Sequence, residues 1–517
     1  MKTGLYIVVL YVFALMLPSS CSGKSDPAPV KPQEQKPDNG GDVTLVTFST
    51  ASSRTVNPDI YGFNTQTAAG PSWSDPKFMD MLRELRPANL RYPGGTIGNY
   101  MDWSTGQYMA KDLRDPALKA PRKPLNGPDG SKTITTYRLE ELKNGIQATG
   151  AAPIYMVNML TDVLSSTESM LARAVSLGLP VKYIELGNEF YLSYTQGGSA
   201  PNTLGDYCTP FHYPTAQSYA DEAKRYITEI KKLYPDVKIA YNAVVDEPKQ
   251  TWFNSSPRTV EWNSVMKAAN MGADAVVIHL YSENSSTPEG LIANSLSKVA
   301  TFNDFTASTW PGMRIWVTEY NVKCDKLDNG DYRNAFAGQW VHGLNSAIYT
   351  AELMLSPQVD LLCFHDIAAD VPAAVIFAQN GDIPTSQSGG GRVPVSAMTF
   401  SASGYAFTML GYAAQGATQI AKLSASPAQT VGAIDALFGY LFTGSNRRAL
   451  LVNLSAESRA IDSRIPAGSG AAVSSIQYSA PALTTVVNSA DKLTRAEVAL
   501  TGNKVTLPPY SITVLSY

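Results

Sequence analysis

Two glutamates in this sequence sit just past short apolar runs of the kind that form buried strands. Glu189 closes the run Tyr183-Ile184-Glu185-Leu186-Gly187-Asn188-Glu189, and Glu319 closes Ile315-Trp316-Val317-Thr318-Glu319, with Tyr320-Asn321 beyond it. Two carboxylates facing each other across a cleft suit the cleavage of a glycosidic bond. One protonates the departing oxygen and the other attacks or stabilises the anomeric carbon. Either glutamate alone has a plainer reading, that it opens a helix and meets the free N–H groups there. Two at matching strand ends, one preceded by Gly187-Asn188, favour the chemical reading. Other chemistries lack their residues. There is no His-Glu-x-x-His, and His212, His279, His342 and His365 have no paired ligand spacing, so no metal is expected. No P-loop or GxGxxG turn is present either, and no cofactor is expected.

Such carboxylates need a scaffold that brings distant strand ends to one rim. Candidate strands run Ile60–Asn64, Asn89–Tyr92, Pro153–Asn158, Lys182–Gly187, Lys238–Ala243, Ala275–Leu280, Arg314–Thr318 and Leu361–His365. Amphipathic stretches lie between them, among them Tyr137–Ala148, Ser166–Gly178, Ala216–Tyr234 and Trp262–Gly272. This alternation predicts parallel βαβ units, and eight of them fit an α/β (β/α)8 barrel whose working residues project from the C-terminal strand ends. A doubly wound sheet is the rival, but Gly62-Phe63-Asn64 is no phosphate-binding turn. After a last helix at Ser401–Ala414, short alternating strands follow at Leu437–Thr443, Ala449–Leu454, Val473–Tyr478, Glu497–Thr501 and Ser511–Ser516. They predict a β-sandwich over residues 417–517 behind a barrel over 43–416, with the strand Thr44–Ser49 a candidate addition to the sandwich sheet.

The ordered set of strand-end motifs resembles clan A of the retaining glycoside hydrolases. Asn188-Glu189 and Glu319 resemble that clan's acid/base and nucleophile after strands four and seven. Pro58-Asp59-Ile60-Tyr61-Gly62-Phe63-Asn64, Leu90-Arg91-Tyr92-Pro93-Gly94-Gly95-Thr96, His279-Leu280-Tyr281 and the terminal Leu507-Pro508-Pro509-Tyr510-Ser511-Ile512 are similar to its arabinofuranosidase-, xylosidase- and heparanase-like branches. The resemblance implies that Glu189 is the general acid/base and Glu319 the nucleophile. It implies that Asn188 holds a sugar hydroxyl, that Arg91 and Tyr281 flank Glu319 and lower its pKa, and that His279 lines the site; Asn64 and Trp103 are further candidate substrate contacts. Strand seven reads Thr318-Glu319-Tyr320-Asn321, where arabinofuranosidases tend to carry tryptophan after the glutamate, so their substrate is not carried over.

The chain has 517 residues, too many for one ordinary domain, and a net charge of −3 that gives no sign of nucleic-acid binding. Residues 1–20 read as a secretory signal: Lys2, the apolar run Leu5–Leu17, then Pro18-Ser19-Ser20. Cys21 is the candidate lipidated residue and residues 21–42 a disordered, proline-rich tether, which predicts a protein of the bacterial envelope touching the membrane only through its lipid. Four cysteines exclude a disulfide-dense scaffold; Cys208 and Cys324 are candidates to pair, and Cys363, inside an apolar run, reads as a buried thiol. The aromatics Tyr100, Trp103, Phe190, Tyr191, Tyr194 and Trp252 read equally as sugar platforms or as packing. Segment Ser104–Lys132 carries six cations (Lys111, Arg114, Lys119, Arg122, Lys123, Lys132) against Asp112, Asp115 and Asp129. A solvated loop is the first reading of it, a cover suited to anionic glycans the second. The expected substrate is a poly- or oligosaccharide. A surface glycan-binding lipoprotein on an inactive barrel and a transglycosylase are the alternatives.

Overall fold

In the computed structural model, residues 45–65, 70–109, 111–115, 137–192, 212–245, 257–323, 336–369, 373–384 and 392–517 are described. Cys21, Cys208, Cys324, Tyr194, Trp252 and most of the basic loop lie outside them.

Eight parallel strands close into a barrel: β1 (Tyr61–Asn64), β2 (Asn89–Tyr92), β3 (Ala152–Val157), β4 (Tyr183–Leu186), β5 (Lys238–Asn242), β6 (Ala275–Ser282), β7 (Arg314–Val322) and β8 (Val359–Phe364). Each strand is followed by a helix: α1 (Pro76–Leu85), α2 (Leu139–Thr149), α3 (Leu164–Ser176), α4 (Ala216–Leu233), α5 (Trp262–Ala269), α6 (Pro288–Thr309), α7 (Trp340–Leu355) and α8 (Ala402–Ala414). Local signals start several of them. Asp75 caps α1 ahead of Pro76, Thr215 caps α4, Thr287 caps α6 ahead of Pro288 and Ser401 caps α8, each oxygen accepting a free N–H of the first turn.

The strands are apolar on both faces, as parallel strands under helices must be. Ile184 and Leu186 pack outward against helices, whereas Tyr183 joins Ala152, Ile154, Ala240, Ala275, Val277, Trp316, Leu361 and Cys363 in a separate cluster inside the barrel. Tyr183 and Trp316 meet edge to face at 5.5 Å, and three alanines make room for them. This plug fills the lower barrel, and a polar layer around Arg91 and Glu185, both with no exposed surface, lies above it. Cys363 is a buried free thiol.

Strand β7 carries one irregularity that decides what faces the axis. Val277 and His279 on β6 are two residues apart, yet their partners on β7 are Trp316 and Glu319, three apart. A second register slip falls between Val317 and Tyr320 against β8. A bulge of this kind reverses the in–out alternation. Before it, Trp316 fills the barrel and Val317 packs against helices; after it, Tyr320 packs against helices and Glu319 points inward.

Behind α8 the chain builds a seven-stranded antiparallel sheet. Its order is Thr47–Thr55, β9 (Ala417–Ser426), β10 (Leu437–Gly444), β11 (Arg447–Asn453), β14 (Ser511–Ser516), β12 (Ser474–Ser479) and β13 (Thr494–Ala499). A two-stranded ribbon, Arg459–Asp462 with Lys504–Leu507, covers part of the outer face. Strand β9 has no counterpart among the sequence-predicted strands. It follows α8 directly through Gly416, and its polar residues are exposed or half-buried. Alternation along β11 serves two cores. Ala449 and Leu451 face the ribbon, while Leu450 and Val452 join the apolar cluster that runs on into the barrel helices.

Candidate active site

The C-terminal ends of β1, β2, β4, β6, β7 and β8 converge on Glu319. Its Oε1 accepts from Arg91 Nη1 at 2.8 Å and from Asn64 Nδ2 at 3.4 Å, and its Oε2 accepts from the Tyr281 hydroxyl at 2.9 Å. Two imidazoles complete the surround: Nδ1 of His279 is 3.6 Å and Nδ1 of His365 4.0 Å from Oε2. Burial by itself pushes this carboxyl up, but His279, His365 and Arg91 outweigh it and lower its pKa to about 2. Glu319 is thus held as a carboxylate whose two oxygens are aimed by fixed donors.

Glu189 sits in a different setting. Its Oε1 accepts from the Tyr191 hydroxyl at 3.0 Å and lies 2.9 Å from His279 Nδ1. The side chain is about a fifth exposed, more open than Glu319. Its backbone is left-handed, with φ at 50°, two residues after Gly187 at 74°. A non-glycine residue in that region is strained by about 1–2 kcal/mol. The turn aims Glu189 back over the barrel mouth. The segment after it is tied down by Arg258, which donates to the carbonyls of Phe190 and Leu192, and by the Thr259 hydroxyl, which donates to that of Tyr191.

Arg91 organises the floor. It donates Nε and Nη2 to the two oxygens of Glu185 at 2.8 and 2.6 Å, Nη2 also to Asn188 Oδ1 at 2.7 Å, and Nη1 to Glu319. The side-chain carbonyl of Asn188 is therefore taken, and Nδ2, 3.4 Å from Thr96 Oγ1, is the end it can offer to a ligand. Asn99 fixes the Asn188 backbone from both sides, accepting from its N–H at 2.9 Å and donating to its carbonyl at 2.8 Å.

Of the sequence-predicted site residues, Glu189, Glu319, Asn188, Arg91, His279, Tyr281 and Asn64 come together. Trp103 does not join them in any described contact: its indole N–H donates to Ser166 Oγ at 3.0 Å, at the start of α3. Tyr100 and Phe190 have no exposed surface, so they pack rather than stack on sugars, and Tyr191 serves Glu189 through its hydroxyl. In the described part of the basic loop, Arg114 pairs with Glu222 at 3.0 Å and lies over the Tyr213 ring, while Asp112 meets His212 at 2.6 Å. Sequence reasoning missed Glu185, Asn99 and His365. Glu185 lies inside the Glu189 motif, and His365 directly follows β8, but neither pattern alone names a partner.

Glu189, His279 and Glu319 present ligand atoms within 4.8 Å of one another, and these are the described residues that could hold a metal ion. A cation there would have to displace Tyr281 and compete with the Arg91 guanidinium already on Glu319.

No family model and no curated relative matches this sequence. Solved structures do match its fold. A thermostable GH51 α-L-arabinofuranosidase from Thermotoga petrophila RKU-1 superposes with a TM-score of 0.61 at 15% identity, covering 91% of this chain and 100% of its own. A 4-O-α-L-rhamnosyl-β-D-glucuronidase from Fusarium oxysporum 12S gives 0.57 at 15% identity, over 91% and 100%. A bifunctional glucanase-xylanase from a metagenome library gives 0.54 at 13% identity, over 91% and 99%. Across nearly its whole length the chain thus has the barrel-and-sandwich fold of glycoside hydrolases with very different substrates.

Proposed function

We propose that this protein is a retaining glycoside hydrolase that cleaves a poly- or oligosaccharide through a covalent glycosyl-enzyme. The observation that carries the reading is the approach of two unlike carboxyls: oxygens of Glu189 and Glu319 come within 4.8 Å. Retaining enzymes keep their carboxyls about 5–5.5 Å apart, whereas inverting ones leave about 6.5–9.5 Å for a water. Glu319, with its lowered pKa, attacks the anomeric carbon, and the C–O bond to the leaving group breaks as Glu189 delivers its proton to that oxygen. Water then enters, gives its proton to Glu189, and releases the sugar from Glu319. Asn188 Nδ2 donates to a hydroxyl next to the reacting carbon, a hydrogen bond that strengthens in the transition state.

The three structural neighbours act on arabinofuranosides, a rhamnosyl-glucuronide and glucan or xylan, so shared fold leaves the sugar open. Arg114 in the described part of the loop is held by Glu222 and Tyr213 and is not offered to a substrate. Residues 1–42 support delivery to the envelope with Cys21 as the lipid anchor.

A 2-deoxy-2-fluoroglycoside with a good leaving group, followed by peptide mass mapping, tests the mechanism. Label is expected on Glu319, and label on any other peptide overturns the assignment. Glu189→Ala is expected to lose about 10²–10⁴ in rate on a substrate with a poor leaving group and far less on an aryl glycoside. A hydrolysis screen over neutral, uronic and sulfated glycans identifies the sugar.

A further inference from the structure

Glu185 is a carboxylate with no exposed surface, on β4 and four residues before Glu189, and it makes no hydrogen bond to Glu189 or Glu319. Its two oxygens grip Arg91 through Nε and Nη2, the geometry of a forked ion pair. The remaining nitrogen, Nη1, is on Glu319. The floor of the site therefore holds one guanidinium between two carboxylates, all three nearly or wholly out of water.

Charge changes during the proposed reaction give this arrangement a use. In the free enzyme, Arg91 faces Glu185 and Glu319, a net charge of one negative. When the Glu319 oxygen bonds to the anomeric carbon and the leaving group departs with the Glu189 proton, the carboxylate becomes a neutral ester. Arg91 loses one of its two partners at that moment. A buried charge stripped of its partner is strongly destabilising. Glu185 is the partner that remains.

We propose that Glu185 is a positioning residue, the permanent counter-ion of Arg91, which keeps the guanidinium neutralised while Glu319 is esterified. The inference rests on the retaining reading above. Without Glu185, Arg91 would pair with Glu319 alone, holding the nucleophile more firmly before attack and standing uncompensated afterwards. Both effects oppose formation of the glycosyl-enzyme, and the second favours its breakdown. Formation should therefore slow while breakdown does not, which a general loosening of the site would not produce.

The test uses the 2,4-dinitrophenyl glycoside of whichever sugar is cleaved among aryl arabinofuranosides, xylosides and glucuronides, with pre-steady-state mixing. In Glu185→Gln, the rate of glycosyl-enzyme formation is expected to fall at least tenfold, while breakdown of the isolated intermediate is no slower than in the unsubstituted protein. Glu185→Asp keeps the charge and is expected to hold both rates within about fivefold. Equal loss in both steps, or no change in either, overturns the proposal. Should Glu185→Gln fail to fold, the aspartate variant decides: a melting temperature lowered with the burst retained supports the counter-ion role, and a lost burst overturns it. Labelling of a residue other than Glu319 in the unsubstituted protein would remove the retaining reading itself, independently of these rates.

Discussion

His279 stands between the two carboxyls, 2.9 Å from Glu189 and 3.6 Å from Glu319, with Nε2 3.3 Å from Thr318 Oγ1. Burial alone would lower its pKa, but the charge of Glu319 and the hydrogen bond and charge of Glu189 outweigh that and raise it. A histidine whose pKa is higher folded than unfolded adds stability that is fully present below about pH 6.5 and disappears as pH rises through the folded value. His279→Gln is accordingly expected to be less stable than the parent at pH 5.5, with the gap narrowing as pH rises above 6.5. Denaturant melts at the two pH values measure it, and an equal gap at both would rule out the charged imidazole. The motif His279-Leu280-Tyr281 is visible in the sequence, since period two puts both outer residues on one face. That one of them serves Glu189 and the other only Glu319 is visible only in three dimensions.

At the scale of elements, two local departures from regularity aim the carboxyls. The apolar run in the sequence ends the seventh strand at Thr318 and puts Glu319 just past it; strict alternation from Trp316 would turn Glu319 toward the helices. The strand instead runs to Val322, and the bulge before Glu319 restores the inward direction. On β4, Gly187 makes the turn that lifts Asn188 and Glu189. A Cβ there would lie 2.1 Å from Phe190 Cε2, on a backbone with φ at 74°. Gly187→Ala is expected to cost about 2–4 kcal/mol from the left-handed backbone and the displaced Phe190 ring together. It should also lower kcat more than it raises KM, because Glu189 moves with the turn. Unchanged stability and kinetics would show that the turn tolerates a side chain. The eight barrel strands were legible from sequence because each is a short apolar run bounded by turns. Strand β9 was not, since Ala417–Ser426, although paired on both sides, is half polar and shows no such run.

On the scale of the molecule, the antiparallel sheet is not an appendage. Its first strand, Thr47–Thr55, precedes the barrel in sequence and pairs with β9, so the first and last of the described strands lie in one sheet. Phe438, Tyr440, Phe442, Leu450, Val452, Ile512 and Val514 share a continuous apolar cluster with α7 and α8. Glu352 on α7 receives the Tyr440 hydroxyl at 2.8 Å and Lys422 at 2.7 Å across the same junction. Cutting the chain after residue 416 would bare that face and strand the first β-strand. The truncated protein is expected to aggregate, as large exposed apolar patches do; a soluble monomer with a single cooperative melt would contradict this. The sequence by itself determined the order of the eight barrel strands and the pair of glutamates at two strand ends, because these are written in local periodicity, and its short motifs, through their resemblance to a known family, implied the tyrosine and arginine beside them. Tertiary structure decided the rest: the β7 register, the binding of Arg91 to Glu185, and the place of His365 near Glu319. These depend on barrel closure, which joins residues far apart in the chain at distances that no local pattern encodes.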